Sequence, residues 1–257
     1  MTELQQAARQ ALALMDLTSL NDGDSDAVIR ELCRKANTPS GHPAAVCIYP
    51  TFIETAREAL AEQGLAGKVK IATVTNFPHG EADVQRAAAE TRAAIAAGVD
   101  EVDVVFPYRA LMAGDPEVGR ELVAACKREC GSAVLKVILE TGELKQAGLI
   151  DRAGMLAIDG GADFLKTSTG KVKVNATLEA AKVLLTAIKA SGRDVGFKAA
   201  GGVRTAEDAA AYLRLAEQMM GANWIAPAHF RFGASGLLGS LLATLGVEED
   251  KGPAGGY

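Results

Sequence analysis

Two hydrophobic periods alternate along the chain. Short runs dense in Val and Ile, at residues 13–18, 44–49, 70–76, 101–106, 134–140, 164–168, 195–199 and 231–234, read as eight strands. Ala-rich stretches with apolar residues three and four apart, near 26–36, 52–63, 81–97, 116–130, 146–158, 178–190, 206–220 and 237–245, read as the intervening helices. Residues before 13 add a helix at the N-terminus. Strands that alternate with helices predict a parallel sheet, and eight such units predict a (β/α)8 TIM barrel spanning 1–257 as one domain. The punctuation agrees. Gly64, Gly98, Gly131, Gly192 and Gly221 fall just past helix ends, where a left-handed cap is needed. Asp115-Pro116 places a capping residue before a proline at the first helical position. Residues 247–257 are charged and Gly-rich, and are expected to form a flexible tail.

Central parallel strands are covered on both faces and normally read as apolar runs. Several here do not. Asp16 interrupts LMDLT, Asp103 EVDVVF, Lys136 and Glu140 LKVILE, Lys166 DFLKTSTG and Lys198 GFKAAGG. A buried charge must be compensated. Ionisable groups on five strands, all pointing inward, would converge near the barrel mouth. Lys166 and Lys198, on neighbouring strands, have a particular use. An amine attacks a carbonyl only when neutral, and a free lysine is protonated at pH 7. A second cation plus burial depresses the first lysine and makes a Schiff-base nucleophile, for which Asp103 can move protons.

A second constellation lies in the loops. Gly201-Gly202-Val203-Arg204 follows the seventh strand and runs into a helix that Thr205 would cap; Gly233-Ala234-Ser235-Gly236 follows the eighth. Barrels commonly hold phosphate at these two loops and a helix N-terminus. Gly170-Lys171, after the sixth strand, adds a third donor loop and a positive charge.

Composition narrows the class. Apolar residues make up 49% and charged residues 23%, as in a globular chain. The formal net charge of −5 lacks the footprint of a nucleic-acid binder. No apolar run is long enough to span a membrane, and Met1–Arg9 has no signal-peptide core, so a cytoplasmic location is expected. Cys33, Cys47, Cys126 and Cys130 are not a disulfide framework and read as reduced thiols. His42, His79 and His229 lack metal-ligand spacing, so no metal is expected; no cofactor is expected either.

The runs LMDLTSLN, VCIYP, IATVTNFPHG, DEVDVVFPYRALMAG, ETGEL, ADFLKTSTGK and FKAAGGVRT together resemble the deoxyribose-phosphate aldolases of the bacterial type, close to the enterobacterial enzyme, along nearly the whole chain. The resemblance implies a class I, metal-free lyase that reversibly cleaves 2-deoxy-D-ribose 5-phosphate to D-glyceraldehyde 3-phosphate and acetaldehyde, working as a homodimer. It implies Lys166 as the Schiff-base lysine, Lys198 as the second lysine, Asp103 as acid and base, and Asp16 and Lys136 as supports. Gly170, Lys171, Gly201, Gly202, Val203, Arg204, Gly233 and Ser235 match the phosphate-binding stretches, and Cys47 a pocket wall near the acetaldehyde end. Three positions depart from the pattern: Ala199 replaces a proline, Gly236 a second serine, and Phe230 follows His229 where a tyrosine is usual. Tyr257, at the end of a Gly-rich segment, could reach the pocket as a proton donor. The residues alone also fit a different phosphosugar aldolase or isomerase, or a phosphosugar-binding sensor without turnover.

Overall fold

In the computed structural model, which describes residues 1–247, eight parallel strands close into a barrel in chain order. They are β1 (Met15–Thr18), β2 (Ala45–Ile48), β3 (Lys70–Thr75), β4 (Glu101–Val105), β5 (Val134–Ile138), β6 (Phe164–Lys166), β7 (Gly196–Ala200) and β8 (Phe230–Ala234). The helices are α1 (Glu3–Ala13), α2 (Asp26–Lys35), α3 (Ile53–Glu62), α4 (Val84–Ala96), α5 (Tyr108–Met112), α6 (Glu117–Cys130), α7 (Thr141–Leu144), α8 (Ala147–Asp159), α9 (Leu178–Ser191), α10 (Ala206–Met220) and α11 (Leu237–Thr244). The expected TIM barrel with an added N-terminal helix is therefore observed. That helix, α1, starts at a capping box between Thr2 and Gln5 and packs against α10 and α11.

Boundaries shift where local chemistry decides them. Ala13 belongs to α1 rather than to the first strand, because the helix runs on until Leu14 donates back to Ala11 and Gln10. The fifth strand stops at Ile138, since Glu140 takes a left-handed backbone (φ 55°) and opens α7. Pro116 is the N-cap residue of α6 rather than its first helical residue, and the Asp115 carboxylate reaches Val118 N only at 3.5 Å. Thr205 caps α10 as expected, in a reciprocal pair with Asp208. Gly64, Gly98, Gly131, Gly192 and Gly221 all have positive φ.

The main core lies between sheet and helices. It is built from outward-facing strand residues such as Val102, Val104, Leu135, Val137, Leu165 and Phe197, against helix residues such as Leu122, Ala153, Ala181, Leu184 and Leu185. Each fully buried Leu or Phe contributes about 1.5–3 kcal/mol relative to exposure. Inside the barrel the two halves differ. Ala45, Cys47, Ala72 and Val74 of β2 and β3 form a separate apolar cluster with Leu20. The inward positions of β1 and of β4 to β8 carry charge: Asp16, Glu101, Asp103, Lys136, Lys166, Lys198 and Arg231 are all buried. Parallel register sets their heights. Asp103 lies opposite Lys136, while Lys166 lies opposite Ile138, two residues beyond Lys136 and so nearer the C-terminal mouth.

Candidate active site

Room for the charges is made by small neighbours. A Cβ on Gly233 would stand 2.9 Å from Lys198 Cε, so this glycine on the neighbouring strand leaves space for the lysine stem. The charged atoms then meet in one continuous set of ion pairs. Asp103 is central: its Oδ1 accepts from Lys136 Nζ at 2.8 Å, and its Oδ2 from Lys166 Nζ at 2.7 Å and Lys198 Nζ at 2.8 Å. Lys198 also donates to Asp16 Oδ2 at 2.5 Å. Lys136 Nζ lies 2.6 Å from Glu101 Oε2 and 3.4 Å from Asp16 Oδ2. Arg231 donates from Nη1 to Asp16 at 2.7 Å and to Glu101 at 3.0 Å, and from Nη2 to Glu101 at 2.8 Å.

Three lysines share this cluster and are driven in different directions. Burial pushes every one of them toward the neutral amine. For Lys136, Asp103, Glu101 and Asp16 outweigh burial, and the ammonium is held above its usual range. For Lys198, Asp103 and Asp16 do the same. Lys166 has a single carboxylate partner among the described residues, Asp103, and the Lys198 cation acts against it. Burial prevails, and Lys166 is lowered. Burial likewise raises both aspartates. Lys136, Lys166 and Lys198 overcome it at Asp103, and Lys198, Lys136 and Arg231 at Asp16, so both carboxyls lie below the usual range.

Above the cluster opens a cavity of about 450 Å³. Of the residues singled out in the sequence, Lys166, Gly170, Lys171, Gly201, Gly202, Val203, Arg204, Gly233 and Ser235 line it, with Gly236 beside them. Asp16, Asp103, Lys136 and Lys198 lie beneath it and are fully buried. Cys47 is fully buried too, its thiol raised by burial first and by Asp103 second; it does not line the cavity. Lys171 Nζ crosses to the carbonyl of Leu20 at 2.5 Å. Glu140 does not join the cluster. Its carboxylate accepts from Thr169 N at 3.2 Å and Thr169 Oγ1 at 2.6 Å, tying the loop after β6 to the end of β5. Thr18, Asn21, Thr169 and Asn175 also line the cavity and were not singled out in the sequence. Nor were Glu101 and Arg231, although period-two spacing puts Glu101 on the face of Asp103 and Arg231 on the face of Gly233. Tyr257 lies outside the described residues.

A family model of DeoC/LacD family aldolases matches residues 10–242. The chain belongs to that family. Solved structures agree with the assignment. A Toxoplasma gondii ME49 protein assigned as a deoxyribose-phosphate aldolase is 26% identical, with a TM-score of 0.87 over 96% of this aldolase and 98% of that chain. One from Coccidioides immitis, assigned likewise, is 26% identical, with a TM-score of 0.78 over 90% of this aldolase and 85% of that chain. The tetrameric deoxyribose phosphate aldolase of Aeropyrum pernix shares the fold at 23% identity, with a TM-score of 0.73 over 95% and 97% of the two chains. Among the described residues of the aldolase, all four cysteines are free and no helix is long and apolar enough to cross a membrane.

Proposed function

We propose that the chain is a class I aldolase of the bacterial type, which reversibly cleaves 2-deoxy-D-ribose 5-phosphate to D-glyceraldehyde 3-phosphate and acetaldehyde through a Schiff base on Lys166. One observation carries the reading. Of three lysines in one buried cluster, Lys166 alone lines the cavity, and it alone is driven toward the neutral amine. The family supports the reaction class, and the relatives assigned as deoxyribose-phosphate aldolases support the substrate.

The steps follow from the groups present. Neutral Lys166 Nζ attacks the C1 aldehyde of the open-chain sugar, and loss of water leaves an iminium. A base removes the C3 hydroxyl proton, the C2–C3 electron pair flows toward the iminium nitrogen, and glyceraldehyde 3-phosphate departs. The enamine is protonated at carbon and hydrolysed, which frees acetaldehyde and Lys166. Asp103 is placed to pass these protons through water, because it contacts Lys166 and Lys198 on the same oxygen. Asp16 and Lys136 hold that pair in position. Cys47, buried in the apolar half of the barrel interior and absent from the cavity lining, takes no part in these steps.

The far end of the cavity suits a phosphate. Gly170-Lys171, Gly201 to Arg204, and Gly233 with Ser235 offer backbone N–H groups and two cations, and α10 and α11 begin just beyond the last two loops. Binding there orients the carbonyl toward Lys166, so remote affinity is turned into rate. Turnover tests the reading: a coupled assay should detect both aldehydes from 2-deoxyribose 5-phosphate, and 2-deoxyribose should require a much higher concentration. Isomerisation in place of cleavage, or binding without turnover, contradicts it.

A further inference from the structure

The ion pairs beneath the cavity form a closed circuit. Starting from Arg231, the contacts run to Glu101, Lys136, Asp103, Lys198, Asp16 and back to Arg231. Charges alternate around it, three cations with three anions, and every link is 2.8 Å or less. Lys166 stands outside the circuit, attached among the described residues only to Asp103, whose two oxygens already receive Lys136 and Lys198.

We propose that Arg231 is a positioning residue for the aldol chemistry: as the third cation of a closed, neutral circuit, it leaves no carboxylate charge free to balance an ammonium on Lys166. An unbalanced charge in a dry interior is expensive, and a group that can shed it does so. Arg231 is built in firmly enough for this. It is 5% exposed, its Nε donates to Pro227 O at 2.5 Å, and its guanidinium lies over the Phe164 ring. Unlike a lysine it cannot itself lose the proton, so the count stays fixed. The groups that face Lys166 from other elements are consistent with this. Asp103 and Lys198 belong to the circuit, Cys47 is a thiol kept protonated by burial, and Glu140 is held by Thr169 and forms no ion pair with Lys166.

This inference rests on Lys166 as the nucleophile, so its test reads the amine separately from turnover. Trace acetylation with acetic anhydride across pH, with Lys166 quantified by mass spectrometry, gives the midpoint at which that amine becomes neutral. Arg231→Met leaves the circuit one charge negative, and the midpoint should rise by on the order of one pH unit. Glu101→Gln leaves it one charge positive, and the midpoint should fall. The Arg231→Met/Glu101→Gln double variant restores the balance and should return toward wild type, as should Arg231→Lys. A merely structural role cannot produce opposite shifts and cancellation. If Arg231→Met does not fold, Glu101→Gln and the double variant carry the test. Midpoints that do not move, or that move the same way in both single variants, overturn the inference. Midpoints that move as expected while the acid limb of kcat/KM stays fixed uphold the charge balance of the circuit but overturn Lys166 as the nucleophile, and with it the role of Arg231 in the chemistry.

Discussion

Lys166 and Lys198 sit in direct register on β6 and β7, yet their surroundings send them opposite ways. Lys198 has two carboxylates within 2.8 Å and is held above its usual range; Lys166 has one, shared, and is lowered. Lys166→Leu should therefore lose cleavage by on the order of 10⁴-fold or more, with thermal stability unchanged or raised, because the lost cation is the one outside the neutral circuit. A thermal melt beside a turnover assay checks both. Lys198→Leu should move the acid limb of kcat/KM upward, since the cation that opposes the Lys166 ammonium is gone; an unmoved limb with full activity contradicts this. Five members of the cluster were legible in the sequence because a charge inside a Val- and Ile-rich run has no surface to reach. Glu101 and Arg231 were not, because each stands at or near the start of its strand, where a solvated end is the ordinary reading. Glu140 shared the signal of Lys136, but the left-handed turn at residue 140 carries its side chain to Thr169 instead.

At the scale of elements, the loops after β6, β7 and β8 line the end of the cavity that we propose holds phosphate. Gly201 combines a φ of +75° with a neighbour, Asn175, that a Cβ would approach to 2.8 Å. Gly201→Ala should raise KM for 2-deoxyribose 5-phosphate at least ~10-fold and leave the slow cleavage of 2-deoxyribose nearly unchanged; parallel kinetics on the two sugars check it. Gly236 is the converse case. A Cβ there meets nothing within 4 Å, so Gly236→Ser is accommodated and adds a donor at the cavity wall. One further hydrogen bond of about 1 kcal/mol should lower KM for the phosphorylated sugar roughly fivefold. These loops could be read because a Gly-rich stretch follows each of the last two strands, where barrels commonly hold phosphate. The short helices α5 and α7 could not be read, since little more than one turn holds too few residues to display a helical period.

Across the whole molecule, the buried circuit fixes a pH window of stability. Asp16 and Asp103 lie below the ~3.9 of a free aspartate. Their contribution is therefore present above that value and lost as pH falls through their folded values. Lys136 and Lys198 lie above the ~10.4 of a free lysine, so theirs is present below it and lost as pH rises through their folded values. Lys166 is lowered instead, so its contribution is present above the free-lysine value and lost as pH falls to its folded value, a loss that Lys166→Leu should not show. Urea unfolding at a series of pH values checks these signs. Asp103→Asn, which strips the shared partner from three buried lysines, should destabilise by roughly 3–5 kcal/mol. The overall architecture was legible because one period repeats eight times, with a glycine just past most of the helices; which inward charges join in one circuit depends on barrel register, which no local window encodes. The most direct test of the account is to trap the intermediate. Borohydride added with acetaldehyde should leave an ethyl group on Lys166, located by mass spectrometry, and none should appear at that site in Lys166→Leu. An adduct on Lys136 or Lys198, or no reducible adduct in an enzyme that turns over, would contradict it.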